Sequence, residues 1–413
     1  MKIRNILLVL LLSCLTRAAL AQVHTDTIAV RKLTHSTWHA AVDENGNGLY
    51  CVVWTQRGEG VSKIRALFLR QGQREEIRVF DVSAPNPGFE DSKPAVTFLN
   101  CDTAIVAWQR GGDGRQRVLY RLLAGNGQAL SDEGWISDAE ADAMLPALRR
   151  TPVGALAVWQ DFRNLQLDIY ARPMNAEGLP EGHASMLNDD GGRALQGQPK
   201  LSAGSCPAAL AVWSDNRVDG KWKFYYQLWR AGPVGENVLL DSAQRKNMTT
   251  LAAAAWMSQD TAVFVWKDYR EGHSNIYRRV ADISRSTLTP AQRINDDDGD
   301  RWQRLPVIAG DGRGNMVMCW EDYRNTETNQ QGDTYMQVFE RDGSPRGGNQ
   351  RVNDRDDRIP RKAPVIAMAV DGVYLIVWHQ GEESSFDLVG QWFRYPDERL
   401  GENFCLTCRE KKQ

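Results

Sequence analysis

Seven of the fourteen tryptophans in this 413-residue chain, Trp54, Trp108, Trp159, Trp213, Trp266, Trp320 and Trp378, each close an apolar run and recur at intervals of 54, 51, 54, 53, 54 and 58 residues. Self-similarity at one spacing of this size marks a repeat architecture, because a single unit cannot bury its own apolar face and must stack on copies of itself. The units span nearly the whole chain. One closed body is therefore expected rather than two or three separate domains.

The third unit shows the pattern most fully. Pro146-Ala147-Leu148 leads into Ala155-Leu156-Ala157-Val158-Trp159-Gln160-Asp161-Phe162-Arg163, followed by Asp168-Ile169-Tyr170, a Glu177-Gly178 turn and Met186-Leu187-Asn188-Asp189. Each piece is about strand length. Proline precedes the tryptophan by 14, 13, 14, 14 and 14 residues at Pro94, Pro146, Pro199, Pro306 and Pro364, which sets a short first strand. Apolar runs such as Ala209 to Trp213, Ala262 to Trp266 and Met316 to Trp320 lack two-residue alternation, as suits strands covered on both faces. Gly, Asp and Asn punctuate the chain too closely for helices. Four short strands per unit, repeated radially, predict an all-β fold, a seven-bladed β-propeller of four-stranded antiparallel blades. Either Asn403 to Cys408 or Thr27 to Leu33 can supply the outermost strand that closes the ring.

Residues 1–21 read as an export signal: Lys2 and Arg4 precede the apolar stretch Ile6 to Leu12, and Ala19-Leu20-Ala21 offers a small-residue cleavage site. The mature chain then begins at Gln22, and residues 22–413 form the propeller with a short Cys-x-x-Cys tail. Leu11-Leu12-Ser13-Cys14 is the competing reading, a bacterial lipobox that would make Cys14 a lipidated first residue. The well-formed Ala-Leu-Ala site favours ordinary cleavage. Secretion or a periplasmic location follows from either, and no later segment approaches the ~20 apolar residues of a membrane span. The 50 basic and 52 acidic side chains nearly cancel, so no overall field recruits nucleic acid or an anionic membrane.

The units resemble a broad group of exported bacterial β-propellers that carry Val-Trp-x-Asp-x-Arg followed by Asp-Ile-Tyr. The motif here is Trp159-Asp161-Arg163, Trp213-Asp215-Arg217, Trp266-Asp268-Arg270 and Trp320-Asp322-Arg324, with the tyrosine element at Asp168-Ile169-Tyr170, Asn275-Ile276-Tyr277 and Asp333-Thr334-Tyr335. The resemblance implies a fold and little about reaction or ligand. Units one, two and seven depart from it, with Thr55-Gln56-Arg57, Gln109-Arg110-Gly111 and His379-Gln380-Gly381 after the tryptophan. Residues two apart on a strand share a face, so tryptophan, aspartate and arginine are expected to project together toward a neighbouring blade. A constellation copied four times around a ring is packing equipment before it is an active site. The aspartate is expected to accept hairpin N–H groups, and the arginine to bridge to the next blade.

Acidic connectors separate the units at Asn188-Asp189-Asp190, Asn295-Asp296-Asp297-Asp298-Gly299-Asp300 and Asn353-Asp354-Arg355-Asp356. Asp296, Asp298 and Asp300 can converge on a calcium ion in a tight loop, but solvated turns with local arginine pairing are favoured, so no cofactor is expected. The six histidines form no His-Glu-x-x-His element, and neither a Gly-x-Ser-x-Gly elbow nor a phosphate loop occurs. Cys405 and Cys408 suit a local disulfide in an oxidising compartment.

With no catalytic constellation in view, the expected function is a non-catalytic binding or scaffold module for a protein, glycan or cell-surface partner, engaged through loops on one face. Trp222, Trp229 and Trp302 lie outside the repeat position and are candidates for a ligand surface, against the plainer reading of core or hairpin packing. Two alternatives stand beside it. One is a propeller glycoside hydrolase of the sialidase-like class, toward which Ser131-Asp132-Glu133-Gly134-Trp135 and Arg358-Ile359-Pro360 point only loosely. The other is a purely structural assembly protein.

Overall fold

The computed structural model of the protein describes residues 36–408, apart from 59, 74–76, 85, 87, 139–141, 203–206, 246–250, 327–330, 355–358 and 383–384. The proposed signal segment, Cys14, Thr27 to Leu33, Cys206 and Arg358 lie outside the described residues. All regular structure within them is β. No helix there is long and apolar enough to cross a membrane.

The strands fall into antiparallel sheets in chain order. Unit one comprises Ser36–Glu44, Tyr50–Gly58, Val61–Leu69 and Val79–Asp81, and unit two Glu90–Phe98, Thr103–Gly112, Arg115–Ala124 and Gly134–Trp135. A single parallel bridge, Ser62 to Glu90, joins these two four-stranded halves. Separate sheets follow, each begun by the first strands Ala143–Thr151, Gln196–Leu201, Ala252–Trp256, Gln303–Gly310 and Arg361–Met368. In the sheet that starts at Ala252 the fourth strand is split into Thr287–Leu288 and Gln292–Arg293. The fourth strand of the last sheet is Glu398–Cys405, so the carboxyl-terminal stretch fills the position left open by the sequence.

First strands touch one another in chain order, and Arg361–Met368 touches Ser36–Glu44, which closes a ring with the first strands around its axis. This is a β-propeller. Second strands are sealed on both faces: every residue of Gly154–Asp161, Ala209–Asp215 and Met316–Asp322 is buried. Each repeat tryptophan sits in a second strand and is at most 1% exposed. The apolar core is correspondingly divided into wedges, each shared by two neighbouring units. Trp159, for example, packs with Ile105, Ala107 and Tyr120 of unit two, and Trp54 with Leu375 and Trp392 of unit seven. The indoles therefore point to the preceding unit rather than to the following one.

The repeat prolines mark a bulge. Pairing of first with second strand slips between Ser92 and Ala95, Gly197 and Lys200, Arg304 and Val307, and Lys362 and Val365. Proline has no N–H for the ladder and is accommodated where pairing breaks. The residue before it takes a left-handed conformation at Lys93, Leu145, Gln198, Leu305 and Ala363, with φ between 48° and 59°. His39 does the same in unit one, where Ala40 replaces the proline.

Candidate functional site

The Trp-x-Asp-x-Arg residues form a closed polar cluster at the end of each unit where the second strand turns into the third. Trp159 Nε1 donates to Asp161 Oδ2 at 2.8 Å, and the indoles of Trp213, Trp266 and Trp320 do the same to Asp215, Asp268 and Asp322 at 3.1, 3.1 and 2.8 Å. The arginine has left the strand and lies in the turn. Its backbone N–H donates to the same carboxylate, at 2.9 Å from Arg163 and 2.8 Å from Arg217. Its guanidinium folds back to that aspartate, covers the cross-strand tyrosine at 4.0 to 4.5 Å over Tyr170, Tyr225, Tyr277 and Tyr335, and reaches a connector carboxylate. Those carboxylates are Asp138, Asp189, Asp241 and Asp296 for Arg163, Arg217, Arg270 and Arg324. All four precede their arginine in the chain. The expected bridge thus runs back, to the connector entering the unit or, for Asp241, to the fourth strand of the preceding unit, and not to the next blade.

Gln56 and Gln380 replace the aspartate in units one and seven and accept from Trp54 and Trp378 at 3.1 and 3.2 Å. In unit two Arg110 stands there instead and is held by Asp91 and Glu133. A second repeated device went unread in the sequence. The connector side chain nineteen residues beyond a third-strand N–H accepts from it, as with Asn188 and Ile169, Asn295 and Ile276, Asn353 and Thr334, and Thr407 and Leu388. The fixed separation of Asp168, Asn275 and Asp333 from these asparagines was the available signal.

This hardware absorbs most of the residues the sequence singled out. Asp296 accepts from Arg324 at 2.6 Å and from the Asn349 N–H at 2.8 Å, while Asp298 and Asp300 are exposed. Among the described residues no group of three His, Cys, Asp or Glu side chains is placed to hold a metal ion. Trp229 is 6% exposed and packed with Trp213 and Tyr225, so it offers no ring to a ligand. Trp222 is half-buried at the start of its strand. Trp302 is open to solvent, with the Arg304 guanidinium 3.9 Å above its ring. Cys405 and Cys408 are joined by a disulfide.

The residue after the repeat tryptophan lies on the opposite face of the strand, toward the following unit. Gln109 accepts the N–H of Leu145, Gln160 that of Gln198 and Glu321 that of Ala363, at 3.1, 3.2 and 2.6 Å. His379 accepts the N–H of Ala40 at 3.2 Å across the junction of the last unit with the first. These side chains latch units two, three, six and seven to the bulge region of the next.

In unit six the latch is a carboxylate with more attached to it. Glu321 Oε2 accepts the Tyr323 hydroxyl at 3.2 Å, and Arg304 lies 5.4 Å from the Tyr323 ring centre. Glu321 is 4% and Tyr323 2% exposed. Burial pushes the Glu321 carboxyl above its ordinary range, and the Ala363 N–H, Arg304, Tyr323 and Lys362 reduce that rise without cancelling it. Burial and the neighbouring Glu321 charge push the Tyr323 phenol up as well. A buried carboxylate whose affinity for a proton is raised, accepting a hydrogen bond from a phenol beside a guanidinium, can take up and return a proton. The sequence hid this group because Glu321 and Tyr323 are the variable letters of an otherwise fixed motif.

No family model matches the chain, and no curated protein does. Solved structures match in fold. A leech intramolecular trans-sialidase complexed with 2,7-anhydro-Neu5Ac superposes with a TM-score of 0.50 at 9% identity, over 90% of this chain and 70% of that one. An α-L-arabinanase from Penicillium chrysogenum has a TM-score of 0.47 at 12% identity over 73% and 92%, and NanB sialidase from Streptococcus pneumoniae 0.48 at 7% over 92% and 70%. At these identities the likeness is one of fold, and it places the chain among the β-propellers. The expectation of a non-catalytic binding or scaffold module is overturned here, because the leech propeller is named for an enzyme activity. That expectation rested on the absence of a catalytic constellation in the sequence, where Glu321 and Tyr323 are not set apart from the repeat motif.

Proposed function

We propose that the protein is an exported propeller glycoside hydrolase whose reacting centre lies at the axial mouth beside unit six. The observation that carries this reading is the hydrogen bond from Tyr323 to the buried Glu321 carboxylate, under Arg304 and Trp302. A phenol can serve as the nucleophile of a glycosidase, as it does in sialidases. The Tyr323 oxygen attacks the anomeric carbon while its proton passes to Glu321, and the glycosidic C–O bond breaks as its oxygen takes a proton from solvent at the mouth. Water then attacks the anomeric carbon and gives up one proton to solvent, and the tyrosyl C–O bond breaks as Glu321 returns its proton to Tyr323. Approach of a sugar requires Arg304 to leave its place over the two rings, after which Trp302 offers an apolar face to the pyranose or furanose. The basic start, apolar stretch and Ala19-Leu20-Ala21 site of residues 1–21 support action outside the cytoplasm.

The test is a panel of chromogenic glycosides that includes sialosides and arabinosides. Glu321→Gln keeps the latch, since Gln109 and Gln160 hold it in their own units, and removes the proton acceptor. It and Tyr323→Phe should each lower turnover by at least ~100-fold, the lower end of what a positioned acid or base supplies. Turnover unchanged in both variants would remove the reacting centre from unit six.

A further inference from the structure

Cationic side chains gather on the opposite wall of the same mouth without carboxylates to match them. Lys93 and His39 occupy the left-handed bulge positions of units two and one, and Lys200 follows the bulge of unit four, all on first strands that line the axis. Lys93 and His39 are half-buried, and Lys200 is open to the channel. Among the described residues neither ammonium makes an ion pair. Glu90, at the start of the unit-two first strand, stands 3.9 Å from Arg57, and Asp43, deeper on the unit-one strand, accepts from Thr97 and Phe98.

The charges feel one another. The protein wall around the channel withdraws water from the Lys200 ammonium and lowers it, Lys93 lowers it further, and Lys93 is itself lowered by burial and by Arg57. His39 is lowered to about 3 by burial and then by Lys93, Arg57, His379 and Lys200. It is therefore neutral, and its buried Nδ1 has no hydrogen-bond partner. The corresponding bulge positions Leu145, Leu305 and Ala363 are apolar, and on the far wall the first-strand cations Arg304 and Lys362 face the Glu321 carboxyl, which leaves Lys93 and Lys200 as the unmatched pair. A protein-walled channel with like charges and an unpartnered ring nitrogen lacks its counter-charge, and an oxyanion supplies both the charge and the acceptors.

We propose that the axial channel binds an oxyanion group, carboxylate or phosphate, between Lys93 and Lys200, with the His39 ring beside it. The site stands whether or not Glu321 and Tyr323 cleave glycosides, and glycan binding by the opposite wall does not create it. A sugar acid would bring a carboxylate and a sugar phosphate a phosphate, and two probes separate these sources.

Calorimetric titration of the purified protein with glucuronate and with inorganic phosphate, at constant ionic strength set by chloride, should give saturable binding of at least one. The tighter probe names the source. Lys93→Gln and Lys200→Gln should each weaken it at least tenfold, and the His39 ring signals should shift on titration in the parent only. Gln198 already holds the bulge conformation, so glutamine is tolerated there, and thermal melting checks that each variant is folded. The same titration on Glu321→Gln should be unchanged, which keeps this outcome apart from that of the glycosidase assay. Absence of saturable binding by both probes, or equal binding in both lysine variants, overturns the proposal.

Discussion

Glu321 in the second strand of unit six accepts the backbone N–H of Ala363 in the first strand of unit seven at 2.6 Å, so one carboxylate both couples two units and faces Tyr323. The two duties separate by substitution. Glu321→Ala leaves a buried N–H without an acceptor and should destabilise the fold by about 1–3 kcal/mol, whereas Glu321→Gln should melt within about 0.5 kcal/mol of the parent. Urea unfolding of both variants checks this, and equal loss in the two would mean that the charge rather than the latch is what matters.

The aspartate is the centre of each polar cluster. Asp161 is fully buried and holds the Trp159 indole, the Arg163 N–H and the Arg163 guanidinium. Asp161→Ala leaves the indole and the Arg163 N–H without their acceptor and the guanidinium with Asp138 alone, and should cost about 3–5 kcal/mol. Arg163→Ala should cost less, because Asp161 keeps the indole and a backbone N–H. The reverse order in chemical denaturation would contradict the hierarchy drawn from the geometry.

Stability should fall in mild acid through the junction of units seven and one. The His379 ring, almost fully buried, is lowered by burial from 6.5 to about 4, while it binds Thr37 and the Ala40 N–H. Between those two values the unfolded chain takes up a proton that the folded chain refuses. The stability present above pH 6.5 is therefore lost as pH falls toward 4, by up to roughly 3 kcal/mol, and no further below it. Melting temperatures across this range should slope less in His379→Gln, and an identical slope would place the titrating group elsewhere.

Cys405 and Cys408 close a short loop around Leu406, which is fully buried between units seven and one, and Thr407, which accepts the Leu388 N–H. Cross-linking so few residues restrains the unfolded chain by ~2 kcal/mol. A reductant should lower the melting temperature of the parent and leave Cys405→Ser/Cys408→Ser unmoved. Equal melting of parent and double variant without reductant would show the loop to be held by packing alone.

The period of the tryptophans carried the fold, since a buried indole at a fixed place in each second strand is a one-dimensional signal. Trp229 shows where such reading stops. Its letters do not tell a rim aromatic from a core one, and only the wedge shared with Trp213 and Tyr225 decides it. The mouth was illegible for a related reason. Lys93 and Lys200 come from different units and share a channel only when the first strands gather at the axis, while Glu321 stands where its counterparts are threonine, glutamine, serine, lysine or histidine. Repeats reveal what is copied, and the mouth is made of what differs.

The ring closes where its last first strand meets its first, and at that place no peptide bond crosses from one unit to the next. Every other neighbouring pair is tied by a connector. The junction without a tether should therefore be the first to part, and what holds it is side-chain packing, with the disulfide loop of Cys405 and Cys408 setting Leu406 into that wedge rather than spanning it.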